Sequence, residues 1–344
     1  MDLKTLLRPE IRELKPYSSA RSEYHGEATV WLDANENPFP NGLNRYPDPL
    51  HRNLREALAP VKGCNPEQLA LGNGSDEVLD WVFRAFCRPG IDEVAYLTPG
   101  YGMYEVLAQV QGVATQKVPL DANFNVVAAE VLSQLSLQVK VLFICSPNNP
   151  TGNCIDAGQL EKIIQQFSGI VVLDEAYQEF SGQPSWVKRL EEFPNLLVTQ
   201  TFSKAWGMAG LRLGCIYGAP EIIQVFQALK APYNLNQLTL DAALKALSGE
   251  SEVQAQVLQL VGERELLARA LQQCPEVVHV FPSEANFLLV RFSDAQRVKQ
   301  HLLQAGIVVR DRTQQPGCSG CLRITVGTPA ENQRVLQTLN TIKT

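Results

Sequence analysis

Short apolar runs alternate with amphipathic stretches between residues 50 and 232. The runs are rich in β-branched side chains, which is typical of buried strands. They lie at Val94–Leu97, Val139–Cys145, Ile170–Asp174, Leu196–Thr201 and Leu213–Tyr217. Because helical patterns separate the runs, the sequence predicts an α/β fold with a mostly parallel central sheet that helices cover on both faces.

The pattern changes after Pro232. The segment from Leu235 to Ala268 is long and amphipathic, with an interruption near Ser248 and Gly249, and predicts helix on both sides of that interruption. Short predicted strands follow at Val277–Val280, Phe287–Val290, Ile307–Val309 and Leu322–Thr325. This order indicates a second, smaller α+β domain.

The first 40 residues indicate an arm. The prolines of Trp31–Pro40 favour an extended, loop-like chain over a helix. The sequence therefore predicts three parts: an N-terminal arm at 1–40 that packs with the small domain as a lid, a large domain at 41–235, and a small C-terminal domain at 236–344.

Composition and charge exclude two classes of partner. The chain has 344 residues, 45% of them hydrophobic, which is enough to bury a full core. A net charge of -6 provides no basic stripe for nucleic acid. We find neither a signal-peptide pattern nor an apolar stretch long enough to span a membrane, so we expect a cytoplasmic protein.

Cysteines and histidines do not indicate a metal site. Eight cysteines at irregular spacing are typical of reduced, mostly buried thiols, and four histidines are scattered singly. Cys318 and Cys321 form the one close pair, but a metal or redox site of that kind needs a second pair of ligands. We therefore assign no metal.

Three separate segments together match the needs of pyridoxal phosphate. Its aldehyde needs a lysine amine, its pyridine nitrogen a carboxylate, and its phenolic oxygen hydrogen-bond donors. Lys204, Asp174, and the pair Asn149 and Tyr177 supply these groups, and each lies at or just past the end of a predicted strand. In α/β sheets, ligands bind at the carboxyl ends of the strands. The candidate catalytic residues are Lys204, Asp174 and Tyr177.

The phosphate of this cofactor needs backbone N–H groups, hydroxyls and a cation. Gly74, Ser75 and Asp76 precede a predicted helix at Val78–Phe86, whose N-terminus would stabilise an anion. We expect further phosphate ligands in Thr201, Ser203 and Arg212. Tyr101 is the candidate aromatic residue, which would stack on the ring or bond the phosphate.

Each candidate also has an ordinary structural explanation. Lys204 could be a surface lysine, Asp174 could belong to a structural salt bridge, and Asn149 could be a turn residue before proline. Ser75 or Asp76 could simply cap a helix, and Tyr101 could anchor a loop.

The motifs extend along nearly the whole chain. They are Leu32–Pro38, Asn44–Asp48, Gly74–Glu77, Pro147–Gly152, Asp174–Tyr177, Phe202–Ala205 and Gly317–Gly327. On these residues the chain resembles fold-type-I pyridoxal-phosphate enzymes of the class I/II aminotransferase superfamily, and within it the histidinol-phosphate aminotransferase group. The resemblance implies a ping-pong transamination in histidine biosynthesis. It interconverts L-histidinol phosphate plus 2-oxoglutarate and imidazole-acetol phosphate plus L-glutamate.

The resemblance also implies substrate and partner contacts. Arg323 would bind the carboxylate or phosphate of the substrate, Arg310 would add a second charge, Tyr17 would close over them, and Asn149 would contribute as well. Tyr46 would reach the cofactor phosphate of a neighbouring subunit, which implies a homodimer with shared sites. Arg310 could instead be a solvated loop residue.

Two kinds of alternative stay open. An aromatic-amino-acid aminotransferase or a threonine-phosphate decarboxylase on the same scaffold would keep every cofactor residue. A non-catalytic regulator is disfavoured, because such proteins usually carry a separate DNA-binding domain and no basic helix-turn-helix pattern precedes the arm.

Overall fold

The computed structural model describes residues 3–18, 20–24, 26 and 28–342, and it contains two β-sheets. The strands are β1 Leu69–Asn73, β2 Glu93–Thr98, β3 Ala114–Pro119, β4 Val139–Cys145, β5 Ile170–Asp174, β6 Leu196–Thr201, β7 Leu213–Tyr217, β8 Val277–Val280, β9 Phe287–Phe292, β10 Arg310–Asp311 and β11 Cys321–Thr325. The α-helices are α1 Leu3–Leu6, α2 Pro9–Arg12, α3 Ala20–Glu23, α4 Arg52–Lys62, α5 Ser75–Phe86, α6 Met103–Val110, α7 Ala128–Gln134, α8 Ala157–Gln166, α9 Pro220–Leu229, α10 Gln237–Leu247, α11 Glu250–Leu271, α12 Ala295–Gln304 and α13 Pro329–Leu339.

The first sheet has seven strands in the order β1-β7-β6-β5-β4-β2-β3. Strands β3, β2, β4, β5 and β6 run parallel, whereas β7 is antiparallel to both β6 and β1. The predicted α/β class with a mostly parallel sheet is therefore confirmed. Two strands escaped prediction: β3 is a half-polar edge strand, and β1 contains a glycine that weakens the strand pattern.

Helices cover both faces of this sheet. Val171 packs with the helices α4, α7 and α8, while its neighbour Val172 packs with α5, α6 and α9. Successive strand residues point to opposite faces, so a continuously apolar strand such as β5 needs cover on both sides. Each fully buried aliphatic side chain of this kind contributes roughly 1.5–3 kcal/mol.

Helix α5 begins directly after β1. Its N-cap is Gly74, with φ of 82°, and Ser75 is the first helical residue. The alternative that Ser75 or Asp76 simply caps the helix is therefore wrong, because the chain turns at the glycine, one residue earlier. Glycine has no side chain that could cap the first N–H groups of α5, so these N–H groups can donate to an anion.

The second sheet has four antiparallel strands in the order β10-β11-β9-β8. Its core packs against α11, α12 and α13, and the break between α10 and α11 falls at Ser248 and Gly249, as predicted. The predicted strand Ile307–Val309 is wrong. Ile307 donates its N–H to Leu302 and so closes the end of α12, and only Arg310 and Asp311 pair with β11.

The described part of the arm contains three one-turn helices, which the sequence did not predict, followed by an irregular segment that includes Trp31–Pro40. Leu7 is buried among residues of α5, and the N–H of Arg8 donates to Ala85 O at 3.0 Å. Further on, the carboxylate of Glu36 accepts hydrogen bonds from Arg21 and from the backbone of Tyr46. The contacts of Leu7 and Arg8 hold the start of the arm against α5, whereas Glu36 links two parts of the arm to Tyr46.

Among the described residues, no helix is long and apolar enough to cross a membrane. In the same part of the chain, no group of three His, Cys, Asp or Glu side chains could hold a metal ion. All eight cysteines are free thiols, and Cys318 and Cys321 are buried.

Candidate active site

The strand register brings the predicted residues to one edge of the seven-stranded sheet. Cys145 at the end of β4 lies opposite Asp174 at the end of β5, and Asp174 lies opposite Thr199 of β6. The antiparallel strand β7 starts at this edge and β1 ends there, because Asn73 pairs with Leu213. The loops that carry Asn149, Lys204, Arg212 and Ser75 therefore meet at one place.

Asp174 is a buried carboxylate without a cation. Its oxygens accept hydrogen bonds from Tyr104 Oη at 2.8 Å, Thr199 Oγ1 at 3.2 Å and the N–H of Ala176 at 3.2 Å. Burial raises its pKa above the usual value, and these hydrogen bonds oppose that rise. No ion pair forms on it among the residues that the structure describes, so the structural salt bridge weighed from sequence is wrong.

Lys204 lies in the turn after β6. Its Nζ lies 5.6 Å from the centre of the Tyr177 ring, and the residue is partly exposed. Partial burial and then the charge of Arg323 lower the pKa of this amine, while Asp174 acts in the opposite direction. A lowered pKa makes a larger fraction of the amine neutral and nucleophilic.

Asn149 connects the two sheets. Its Nδ2 donates to the hydroxyl of Tyr177 at 3.3 Å, and its Oδ1 accepts from Arg323 Nη1 at 2.6 Å. Asn149 and Tyr177 are both buried, and burial raises the pKa of the Tyr177 hydroxyl, so this hydroxyl stays protonated. The predicted donors thus lie together, beside the guanidinium predicted to bind substrate.

Arg212 and the start of α5 form a basic cradle. Arg212 Nη2 lies 3.8 Å from Asp76 Oδ2, and Asp76 also accepts from Tyr101 Oη at 3.0 Å. A Cβ on Gly74 would lie 2.5 Å from Arg212 Nη2, so only glycine leaves room for the guanidinium there. Thr201 Oγ1 accepts from the N–H of Ser203 at 3.1 Å, which orders the turn on the other side of the cradle.

The remaining predicted residues divide into two groups. Arg310 is exposed and lies directly opposite Arg323 in the β10–β11 pair, near the site. Tyr17 is 71% exposed and Tyr46 stacks on Tyr233 with ring centres 4.4 Å apart. Within the described part of the chain, no hydrogen bond or ring contact joins Tyr17 or Tyr46 to Lys204.

Sequence reasoning missed four contributors. Tyr104 and Thr199 bind Asp174, Phe287 lies under the guanidinium of Arg323 at 5.2 Å, and Arg312 lies close enough to Arg323 to feel its charge. Only Thr199 carried a signal, since it lies two residues before Thr201 on the same strand face.

The donor set fits pyridoxal phosphate. Asp174 lacks a cation, which a protonated pyridine nitrogen would supply, and the cradle at Gly74 and Arg212 offers N–H groups and charge to a phosphate. The charges of Asp174 and Arg212 both act on the pKa of Lys204, which shows that this amine lies near both groups. Fold and site together define a fold-type-I pyridoxal-phosphate enzyme.

Comparisons with known proteins agree with this class. The family model for aminotransferases of class I and II matches residues 21–339. The chain is 51% identical over 342 residues, 99% of each protein, to the histidinol-phosphate aminotransferase of Parabacteroides distasonis. The chain therefore belongs to the class I and II aminotransferase family, whose members depend on pyridoxal phosphate.

Solved structures show the same fold. The histidinol-phosphate aminotransferase of Clostridium acetobutylicum superposes with a TM-score of 0.80 at 24% identity, over 87% of this chain and 90% of that one. The enzyme from Sinorhizobium meliloti, in complex with pyridoxal-5'-phosphate, gives a TM-score of 0.79 at 24% identity, over 86% and 82% of the two chains.

Proposed function

We propose that this protein transfers the amino group of L-histidinol phosphate to 2-oxoglutarate, which gives imidazole-acetol phosphate and L-glutamate, and that it catalyses the reverse reaction, in histidine biosynthesis. The observation that carries the proposal is the juxtaposition of Lys204 with the Asn149–Arg323 contact, which sets a nucleophilic amine beside an anion site. The 51% identity to a histidinol-phosphate aminotransferase over nearly the whole chain supports the choice of substrate.

The proposed roles follow from the geometry. When bound, pyridoxal phosphate supplies an aldehyde that accepts amino groups and a ring that withdraws electrons from the substrate Cα. Asp174 would hold a proton on the ring nitrogen, since a buried carboxylate is stabilised by a cation. Tyr177 and Asn149 would donate to the phenolic oxygen. Gly74, Ser75 and Asp76, with the residues Tyr101, Thr201, Ser203 and Arg212, would hold the phosphate.

Lys204 would act as the proton carrier. Its neutral Nζ would take the proton from the substrate Cα and would pass it to the carbon that carries the aldehyde in the free cofactor. The lowered pKa of Lys204 keeps this amine in the form that accepts a proton. Two half-reactions on one amine account for a ping-pong sequence.

Arg323 would bind the anionic group of both substrates. Its side chain is positioned by Asn149 and by the Phe287 ring, and its planar guanidinium suits a carboxylate as well as a phosphate. Arg310, opposite Arg323, would add charge. Both half-reactions would then use one shared anion site.

We also propose a homodimer with shared sites. The arm exposes apolar side chains, with Leu32 at 86%, Phe39 at 77% and Val30 at 69%. An apolar surface of this kind is typical of an interface. In such a dimer, Tyr46 would reach the cofactor phosphate of the partner subunit, and Tyr17 from the arm would close over the substrate anion. Sedimentation equilibrium of the purified protein should give twice the chain mass of 38.1 kDa.

Two further assignments, of location and of domain division, complete the proposal. We place the enzyme in the cytoplasm and divide it into the arm at 1–40, a large cofactor domain at 41–235 and a small domain at 236–344. The two separate sheets support a division somewhere between β7, which ends at Tyr217, and β8, which begins at Val277.

The test is an absorbance spectrum of the purified protein. The visible band of the bound cofactor should fall when glutamate is added and, in a separate sample, when histidinol phosphate is added. The band and turnover should be absent in the variant Lys204→Ala. A response to glutamate but not to histidinol phosphate would reject the substrate, and carbon dioxide release from threonine phosphate would favour the decarboxylase.

A further inference from the structure

Three arginines share one face of the four-stranded sheet. Arg310 lies directly opposite Arg323 in the antiparallel β10–β11 pair, and opposite residues project to the same side. Arg312 follows Arg310 by two positions, and its N–H still pairs with Cys321 O at 3.0 Å. The alternation of an extended chain therefore sets Arg312 on the face of the other two arginines.

This face is turned toward the candidate active site. The opposite face carries Leu322, which belongs to the core formed with α11, α12 and α13, and Asp311, which accepts from Lys299 Nζ at 3.1 Å. On the arginine face, Leu289 lies opposite Arg323 and clusters with Phe124, which belongs to the chain around the first sheet. The cations thus project into the space between the two sheets.

No carboxylate neutralises this cluster. Arg310, Arg312 and Arg323 form no ion pair within the described residues, and the Nε atoms of Arg312 and Arg323 are buried without a hydrogen-bond partner there. Burial, followed by the charges of Arg323 and Arg310, lowers the pKa of Arg312 to about 10. Like charges held together in a partly buried place are unfavourable unless an anion binds among them.

The combined positive charge of the three arginines exceeds the charge of one carboxylate. A carboxylate has one negative charge and is matched by one planar guanidinium, whereas a phosphate monoester has a charge of about -1.5 to -2 and three acceptor oxygens. Glutamate carries two separate carboxylates of one charge each, and Arg323 and Arg310 are enough to match them. A phosphate monoester concentrates nearly two charges and three acceptor oxygens in one group, so it can use the further cation that Arg312 provides.

We propose that Arg312 is a specificity-determining residue that donates to the substrate phosphate and selects a phosphate monoester over a carboxylate. The inference rests on the proposed function and extends it, because the resemblance assigns substrate contacts to Arg310 and Arg323 and no role to Arg312. Arg312 has no part in the chemistry at Lys204. Its contribution lies in the ratio between the two substrates.

The test compares the holoenzyme with Arg312→Gln and Arg312→Lys. Half-reaction rates are measured with histidinol phosphate, with histidinol, which lacks the phosphate, and with glutamate. Arg312→Gln should lower kcat/KM for histidinol phosphate by about tenfold or more, the weight of one charge-assisted hydrogen bond. The rates with histidinol and glutamate should change by less than about threefold, and Arg312→Lys should recover part of the loss.

Arg269→Gln is the matched control, since it removes the same charge from an exposed position of α11. It should leave all three rates near those of the wild type. An equal loss with all three substrates in Arg312→Gln would mean a general structural role, and unchanged rates would mean no role. Either result overturns the inference.

Inorganic phosphate gives a second readout that does not depend on histidinol phosphate. It should compete with glutamate in the wild type, and its inhibition constant should rise about tenfold or more in Arg312→Gln. A wild type that ignores histidinol phosphate would overturn the proposed function, while the phosphate competition would still decide whether Arg312 binds this anion. An inhibition constant equal in both proteins would overturn the inference alone.

Discussion

Nη1 of Arg323 donates a 2.6 Å hydrogen bond to Oδ1 of Asn149, and this contact joins the four-stranded sheet to the edge of the seven-stranded sheet. The same Asn149 donates through Nδ2 to Tyr177. One amide therefore positions both the guanidinium proposed to bind substrate and the hydroxyl proposed to donate to the cofactor. Few other side chains could replace it, because only an amide donates and accepts at once at this length.

Replacing Asn149 with Asp should weaken substrate binding. The new carboxylate would form an ion pair with Arg323 and compete with the substrate anion, so KM for glutamate should rise roughly 10-fold to 100-fold. Steady-state kinetics with glutamate measure this. Asn149→Ala is the control, because it removes the hydrogen bonds without adding a competing charge. A KM in Asn149→Ala as high as in Asn149→Asp would contradict the competition.

Replacing Gly74 with Ala should release the cofactor. The new Cβ would meet Arg212 Nη2 at 2.5 Å and push the guanidinium out of the cradle. We expect the cofactor dissociation constant to rise roughly tenfold or more, as one charge-assisted contact is lost. Equilibrium dialysis with pyridoxal phosphate measures it.

Gly90→Ala is the matched control for that substitution. Gly90 also has a positive φ, of 69°, but a Cβ there would have no neighbour within 4 Å. Both variants lose stability because a side chain is strained at positive φ, by about 1 kcal/mol. Only Gly74→Ala should lose cofactor, and equal affinities in the two variants would refute the steric argument.

The sequence predicted the components of the site better than their connections. Asn149, Asp174 and Lys204 were predictable because parallel strands end at one edge, and the apolar runs located those ends. The hydrogen bond from Tyr104 to Asp174 was not predictable, since it joins residues 70 positions apart through the packing of α6 on the sheet. The role of Arg312 depends on a two-residue strand whose pairing leaves no pattern in the sequence.

The same limit applies to the fold. The central strands were predicted because they are buried on both faces and read as continuous apolar runs. Strand β3, at the edge of the sheet, carries polar residues and is recognisable only through its pairing with β2. Val308 looked like part of a strand, but it is 84% exposed, because the chain there is still closing α12.

Replacing Asp174 with Asn should slow the reaction without emptying the site. The neutral amide keeps the size of the side chain but cannot stabilise a cation on the ring nitrogen. Loss of one member of a buried pair costs about 3–5 kcal/mol, so the glutamate half-reaction should slow by roughly 100-fold to 5,000-fold. Stopped-flow absorbance measures the rate. A rate within about threefold of the wild type would show that Asp174 does not act on the cofactor.

Glu175, the neighbour of Asp174, should make folding stability depend on pH. Burial raises its pKa to about 7, although Ser185 Oγ and the N–H of Trp186 donate hydrogen bonds to it. Since the folded pKa lies above the usual 4.5, the folded protein binds this proton more tightly than the unfolded chain. The stabilising contribution is therefore complete below about pH 4.5 and is lost as the pH rises through 7.

Glu175→Gln removes this titration and keeps the shape of the side chain. The difference in free energy of unfolding, wild type minus variant, should fall by at most about 3 kcal/mol between pH 4.5 and 7. Urea denaturation at a series of pH values measures it, and Glu56→Gln, an exposed position on α4, controls for the loss of one charge. A difference that stays constant with pH would mean that Glu175 is ionised throughout, and the hydrogen bonds at its oxygens would then outweigh its burial.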